Sequence, residues 1–273
     1  MKIKLAEKYG FCFGVKRAIK IAEENRGAIT FGPLIHNAKE IGRLKENFGI
    51  DLGESLQEVQ GYKDVIVRTH GITKGDLEIL KKGGNNVINA TCPFVTKPQN
   101  IVKKMSKEGY QIIIFGDKDH PEVKGVASYG KDVVIAVDVD EIAQYALKNK
   151  VALVSQTTKQ AEQFGKIAAF LVSRANEVCI FNTICNATFE NQRAVLELSK
   201  EVDVMVVVGG KNSSNTKQLL KIAQKHCKDS YLVEDKDELD MQWFRDKKLC
   251  GITAGASTPD WIIKDVKDKI EQF

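Results

Sequence analysis

Short apolar segments alternate with amphipathic helical patterns along all 273 residues. That alternation argues an α/β protein with mainly parallel sheets and helices on both faces. Two further observations sharpen the expectation to three similar α/β lobes in pseudo-threefold arrangement. Cys12, Cys92 and Cys185 divide the chain into near-equal thirds, and each opens a helix-like run: FCFGVKRAIKIAEE, TCPFVTKPQNIVKKMSKEG and ICNATFENQRAVLELSKEV. The segments downstream of each run repeat as well.

After each cysteine, apolar residues recur three and four apart, as on one face of a helix. A short strand comes next (AITFG, QIIIFG, VMVVVGG) and ends in glycine before a polar turn. The turns are GPLIHN with His36, GDKDHPE with His120, and GGKNSSN with Ser213, Ser214 and Asn215. Gly32 to His36, Gly116 to His120 and Gly209 to Ser213 share one offset. A helix, a short strand (IDL, VVIAV, YLVE) and a further helix come after the turn. The next strands, DVIVRTHG, VALVSQTT and LCGITAGAST, run out at His70, at Thr157 and Thr158, and at Ser257. One more helix and a strand such as NVINATC or VCIFNTIC deliver the next cysteine. The expected lobes are 1–91, 92–184 and 185–273, with about four strands each. In parallel sheets function gathers beyond the carboxyl ends of strands, where all these turns and cysteines fall. Nine strand ends facing one centre would place three thiolates and a polar ring around a shared cavity.

The composition is that of a soluble globular protein: 43% hydrophobic, 28% charged, 5 prolines. The net charge of +5 is scattered as single lysines and short pairs. This disfavours a nucleic-acid surface and suits small anionic substrates or an acidic redox partner. No apolar run reaches the ~18 residues of a membrane span, and MKIKLAEKYG has no signal-like core, so a cytoplasmic location is expected. In a reducing compartment the six cysteines are thiols or metal ligands rather than a disulfide frame.

Three cysteines from three lobes suit a soft metal. Zinc usually takes four ligands in closely spaced pairs, which this chain lacks. A 4Fe–4S cluster held by three thiolates keeps one iron open for a substrate oxygen, as a Lewis acid and an electron carrier. Phe11, Phe13, Pro93, Phe94 and Phe189 would shield it from water. Any one such cysteine alone reads as a small buried hydrophobe, but the repeat argues against that for all three. Cys179, Cys227 and Cys250 lie at no switch point and read as packing residues. His226, at a helix end, reads as surface.

The polar turns each precede a helix. Asn37, Thr73 with Asp76, Thr158, and Asn215 or Ser214 are candidate caps, and Pro121 and Pro259 suit first helical positions. Helix N-termini offer free N–H groups and a positive dipole end. With His36, His70, His120, Ser213, Ser214 and Ser257 they would favour a multiply charged anion such as a diphosphate. Glu122, in the first turn after His120, either stabilises its helix or, facing the cavity, supplies a proton.

In combination and order, FCFGV, GPLIHN, RTHG, NATCP, GDKDHPEVKG, SQTT, NTICNAT, VVGGKNSSN and TAGASTPD resemble the 4-hydroxy-3-methylbut-2-enyl diphosphate reductase family from about Gly10 to Trp261. The resemblance implies a three-lobed fold around a 4Fe–4S cluster. It also implies reduction of an allylic alcohol diphosphate to isopentenyl and dimethylallyl diphosphates, with an external electron donor such as ferredoxin or flavodoxin and its reductase. By the same resemblance Cys12, Cys92 and Cys185 bind iron. His36, His70, Ser213, Ser214, Asn215 and Ser257 form the diphosphate cradle, with His120 close to the substrate. Glu122 is the proton donor, bridged to the substrate hydroxyl by Thr157 or Thr158. One position departs: Asn191 stands where the family commonly has arginine, beside Cys185. Two other readings compete, a hydro-lyase using the open iron without reduction and a non-enzymatic iron–sulfur sensor.

Overall fold

The computed structural model describes Met1–Phe273. β1 (Lys2–Leu5) and α1 (Phe13–Glu24) open the chain. Then come β2 (Ile29–Phe31), α2 (Ala38–Phe48), β3 (Asp51–Gly53), α3 (Leu56–Val59), β4 (Asp64–Val67), α4 (Lys74–Lys82) and β5 (Asn86–Asn89). A second series begins after α5 (Pro93–Lys107): β6 (Gln111–Phe115), α6 (Pro121–Ala127), β7 (Val133–Ala136), α7 (Val139–Ala143), β8 (Lys150–Ser155), α8 (Ala161–Val172) and β9 (Glu177–Ile180). The third comprises α9 (Asn186–Ser199), β10 (Val204–Val208), α10 (Ser214–Gln224), β11 (Ser230–Val233), two short 3-10 turns, β12 (Leu249–Ala254) and α11 (Asp260–Ile270).

The strands form three four-stranded sheets in the orders β3-β2-β4-β5, β7-β6-β8-β9 and β11-β10-β12-β1. Every pairing is parallel. All three share one topology, with the last sheet completed by the first strand of the chain. The division expected at 1–91 is thereby corrected at its start: β1 pairs with β12, Lys2 opposite Leu249 and Leu5 opposite Ile252. β1 is an edge strand whose exposed alternate positions are Lys2 and Lys4. β1, β5 and β9 are equivalent edge strands, and each leads into one of the three cysteines.

The chain divides into two compact units. One comprises Met1–Lys16, Ile35–Arg43 and Asn186–Phe273; the other comprises Arg17–Leu34 and Leu44–Cys185. In the first, β10 reads VMVVV and is buried throughout. Strand alternation sends Val204, Val206 and Val208 into a core with Ile262, Ile263 and Val266 of α11. Met205 and Val207 enter the opposite core with Val195, Leu198 and Leu219 of α9 and α10. In the second unit β6, QIIIF, is likewise buried. Sheets covered on both faces need such continuous apolar strands. No helix is long and apolar enough to cross a membrane.

Deleting Lys2–Leu5 should bare the edge of β12 and lower unfolding stability by roughly 2 kcal/mol or more, given about 1 kcal/mol per lost ladder bond. Urea unfolding followed by tryptophan fluorescence checks this, because Trp243 packs against the same core as Ile3 and Leu5.

Candidate functional site

The three cysteines occupy one structural position. α1, α5 and α9 begin at the residue after Cys12, Cys92 and Cys185. Their backbone N–H groups donate to the carbonyls of Ala256 (3.2 Å), Thr69 (3.0 Å) and Thr157 (3.0 Å). Each acceptor lies two residues beyond the third strand of its sheet, β12, β4 or β8. None of the six cysteines forms a disulfide; Cys12, Cys92 and Cys185 are half-buried. Cys227 and Cys250 sit in the cores of the first unit. Burial raises the Cys227 thiol pKa and pushes that of Cys250 up to about 12. Cys179 packs against the β6–β8 core. Three soft thiols at helix starts, where N–H donors and the dipole favour negative sulfur, fit a thiolate-ligated iron–sulfur group.

In the second unit a chain of contacts joins His70, His120, Glu122 and Thr157. His70 follows Thr69, the partner of Cys92, and its ring meets that of His120 edge-on at 5.4 Å. His120 caps α6: its Nδ1 accepts the Glu122 N–H at 3.2 Å, so in the neutral ring Nε2 carries the proton. Glu122 is buried, 2% exposed. Its Oε1 accepts the Thr157 N–H and its Oε2 accepts the Thr157 hydroxyl, both at 2.7 Å. Burial drives the Glu122 pKa up from 4.5 to about 7, against the opposing pull of the two Thr157 bonds. Desolvation wins because the carboxylate has only these two donors.

In the first unit the turn bearing His36 is pinned from two sides. The Ser257 hydroxyl donates to the His36 carbonyl at 3.3 Å. That carbonyl also lies against Gly210, where any Cβ would stand 2.4 Å from it. Asn37 Oδ1 caps α2 by accepting the Glu40 N–H at 3.0 Å. Glu40, buried, accepts from Trp261 Nε1 (3.1 Å) and from Arg43. Ser213 caps α10 through the Thr216 N–H, 3.3 Å away. Ser214 and Asn215 lie buried in its first turn. Both polar atoms of the Asn215 amide are buried with no protein partner. Each such group costs roughly 1–3 kcal/mol. At the N-terminal turn of an 11-residue helix, that orphaned amide suits an anionic ligand.

Several local expectations are corrected. Thr158 does not cap α8, which begins later with Gln160 at its cap and no side-chain bond. The Thr158 hydroxyl instead accepts from Gln156 Nε2 at 3.2 Å. Between the two threonines, Thr157 is the one bonded to Glu122. The cap of α10 is Ser213 rather than Ser214 or Asn215, and Pro259 occupies the cap of α11 rather than its first turn. Asn191 is buried within α9. Two residues went unforeseen. Lys159 is buried and pairs with Asp117 at 2.6 Å, and Gln156 Oε1 accepts the Asp117 N–H at 2.9 Å. Together they tie the Thr157 turn to the turn before His120. The polar run SQTTK directly after an apolar strand was the available signal.

Thiols at helix starts, a buried acid poised near neutrality and imidazoles beyond parallel strands are the groups that metal-assisted acid–base chemistry draws on. The chain belongs to the LytB family: a family model described as LytB protein matches residues 3–271. It is 70% identical over 273 residues to the 4-hydroxy-3-methylbut-2-enyl diphosphate reductase of Helicobacter hepaticus, covering 100% of both chains. To the Helicobacter pylori protein of the same name it is 63% identical over 271 residues, covering 99% of each. A solved structure described as (E)-4-hydroxy-3-methyl-but-2-enyl diphosphate reductase, the terminal enzyme of the non-mevalonate pathway, is 41% identical with a TM-score of 0.70, covering 100% of this chain and 99% of that one. The Plasmodium falciparum structure, described as E-1-hydroxy-2-methyl-but-2-enyl-4-diphosphate reductase, has a TM-score of 0.92 at 29% identity, covering 98% of this chain and 87% of that one. Membership of this family implies an iron–sulfur cluster.

Between pH 4.5 and about 7 the folded protein keeps a proton on Glu122 that the unfolded chain has lost. Stability therefore falls as pH rises through that window, by up to about 3 kcal/mol. Glu122→Gln should flatten this slope, read as urea midpoints at pH 5 and pH 8. Asn215→Leu should raise stability by about 1–2 kcal/mol by removing the orphaned amide; a midpoint no higher than that of the parent protein would contradict that account.

Proposed function

We propose that this chain is an iron–sulfur oxidoreductase that reductively dehydroxylates 4-hydroxy-3-methylbut-2-enyl diphosphate. The products are isopentenyl and dimethylallyl diphosphates, and the step ends non-mevalonate isoprenoid precursor synthesis. The substrate gains two electrons and two protons and loses one water. The observation that carries the reading is the buried Glu122–Thr157 pair beside His120, an acid whose pKa of about 7 suits proton delivery at neutral pH.

Cys12, Cys92 and Cys185 would hold the cluster. When bound, a 4Fe–4S cluster with three cysteine ligands and one open iron supplies electrons and a Lewis-acid position for the hydroxyl. An external donor of ferredoxin or flavodoxin type, with its reductase, feeds it. His36, Ser213, Ser214, Asn215 and Ser257 bind the diphosphate, with the first turn of α10 contributing N–H donors. That anchor fixes the substrate at a distance from the reacting carbon and so orients the hydroxyl. His70 and His120 add imidazole donors. Glu122 acts through Thr157: Oε1 is occupied by the Thr157 N–H, so protonation falls on Oε2, which reverses the side-chain bond, and the proton passes from Oε2 to the Thr157 oxygen. The threonine's own proton then goes on to the leaving hydroxyl, which hydroxide needs in order to depart as water.

Glu122→Gln should lower kcat about 10²–10⁴-fold with little change in KM. Anaerobic purification, optical and EPR spectra and a reductant-dependent turnover assay check this together. Parent-level turnover in the variant with its cluster intact removes the acid role. A colourless, metal-free folded protein, or turnover without reductant, removes the reductase reading.

A further inference from the structure

The flank of the second unit beside Cys92 carries a charge that no step of the reaction uses. A groove of about 550 Å³ lies against α5, lined by Arg17, Thr91, Pro93, Lys97 and Asn100 among others. Asn100 also lines an adjoining depression of about 300 Å³, together with Lys103, Lys104, Lys107 and Glu108. All four lysines are exposed. Lys104 has Glu108 at 3.9 Å; no ion pair joins Lys97, Lys103 or Lys107 to a carboxylate. Arg17 is fixed at the Cys92 end, where its guanidinium donates to the carbonyls of Thr91 and Asn89, each at 3.3 Å. Pro93 and Phe94 stand exposed there, Phe94 to 42%.

We propose that this flank of α5 docks an acidic one-electron carrier protein, of ferredoxin or flavodoxin type, which passes its electrons in at Cys92. The inference rests on the reductase reading. Each docking event oxidises one reduced carrier by one electron, so two events supply the pair that the substrate takes up. The chemistry of the surface selects the partner. Lysines without counter-charges repel one another until an acidic face meets them. A strip from Lys97 to Lys107 is about 15 Å long at 1.5 Å per residue, matched to the small footprint of a transient redox encounter. Exposed Pro93 and Phe94 at the Cys92 end of α5 add apolar surface beside the charged strip, and such contacts combine the two. The residues on either side of Cys92, Thr91 and Pro93, line the groove itself, so a docked carrier lies close to a proposed cluster ligand.

The test is the triple variant Lys97→Glu, Lys103→Glu, Lys107→Glu, made as cluster-loaded protein. Turnover is followed with reduced flavodoxin at increasing concentration and, separately, with reduced methyl viologen; flavodoxin binding is measured directly by surface plasmon resonance. The half-saturating flavodoxin concentration should rise at least about tenfold and lose its salt sensitivity. Direct binding should weaken in parallel, while methyl viologen turnover stays at the parent level. Unchanged flavodoxin saturation overturns the proposal. So does an equal loss with both reductants, or weakened binding of a single-stranded RNA probe with flavodoxin binding untouched. Should the parent protein fail to turn over even with methyl viologen, the reductase reading falls, and the binding measurement alone judges the docking surface.

Discussion

Three backbone hydrogen bonds fix the positions of Cys12, Cys92 and Cys185. A main-chain N–H at the covered end of a sheet must find an acceptor. Cys12, Cys92 and Cys185 each find it two residues past the third strand, at Ala256, Thr69 and Thr157. A slip of one residue in any of these strands would move both the acceptor and its successor. Those successors are Ser257, His70 and Thr158, so each cysteine and one polar group of its sheet are set by one bond. The fold needs no dedicated scaffold for its sulfurs. It repeats a strand-end geometry three times and lets the helix start after each cysteine do the rest.

Around these positions the protein holds polar groups in states that water would relax. Glu122 keeps a proton at a pH where exposed carboxylates have lost theirs, because desolvation outweighs both Thr157 bonds. Asn215 keeps an amide with no partner. Each costs a few kcal/mol, which burial of strands such as β6 and β10 helps to offset. In the proposed reductase reading the gain is preorganisation: an acid and a hydrogen-bonding amide that would not need to reorganise when a charged substrate arrives.

Much of this was legible in the sequence because it is periodic. The strand–glycine–polar-turn offset shared by His36, His120 and Ser213 is a property of the chain alone, and so is the placement of the three cysteines. The illegible part depends on side chains choosing among near-equal partners. Ser213, Ser214 and Asn215 can each cap a helix, and only packing decides that Ser213 does so while Asn215 is left unbonded. Thr157 and Thr158 are alike in sequence; burial beside Glu122 separates them. The Lys159–Asp117 pair spans 42 residues and leaves no periodic trace. β1 escaped for a different reason. Its partner lies at the far end of the chain, and a charged edge strand looks like surface.

That last contact also orders the assembly. The sheets β2–β5 and β6–β9 are each built from a continuous stretch of chain, so either can close as soon as its own strands are made. The third cannot, since Lys2 pairs with Leu249 and Ile3 with Cys250. Its fourth strand waits through the whole of synthesis for β12. The bond that positions Cys12 runs to Ala256, so it forms after those of Cys92 and Cys185 have their acceptors in hand. Of the three proposed sulfur ligands, the first in sequence is the last to be placed. A cluster needing all three would therefore be completed only on a finished chain, which protects an oxidisable group from being assembled on a half-folded one.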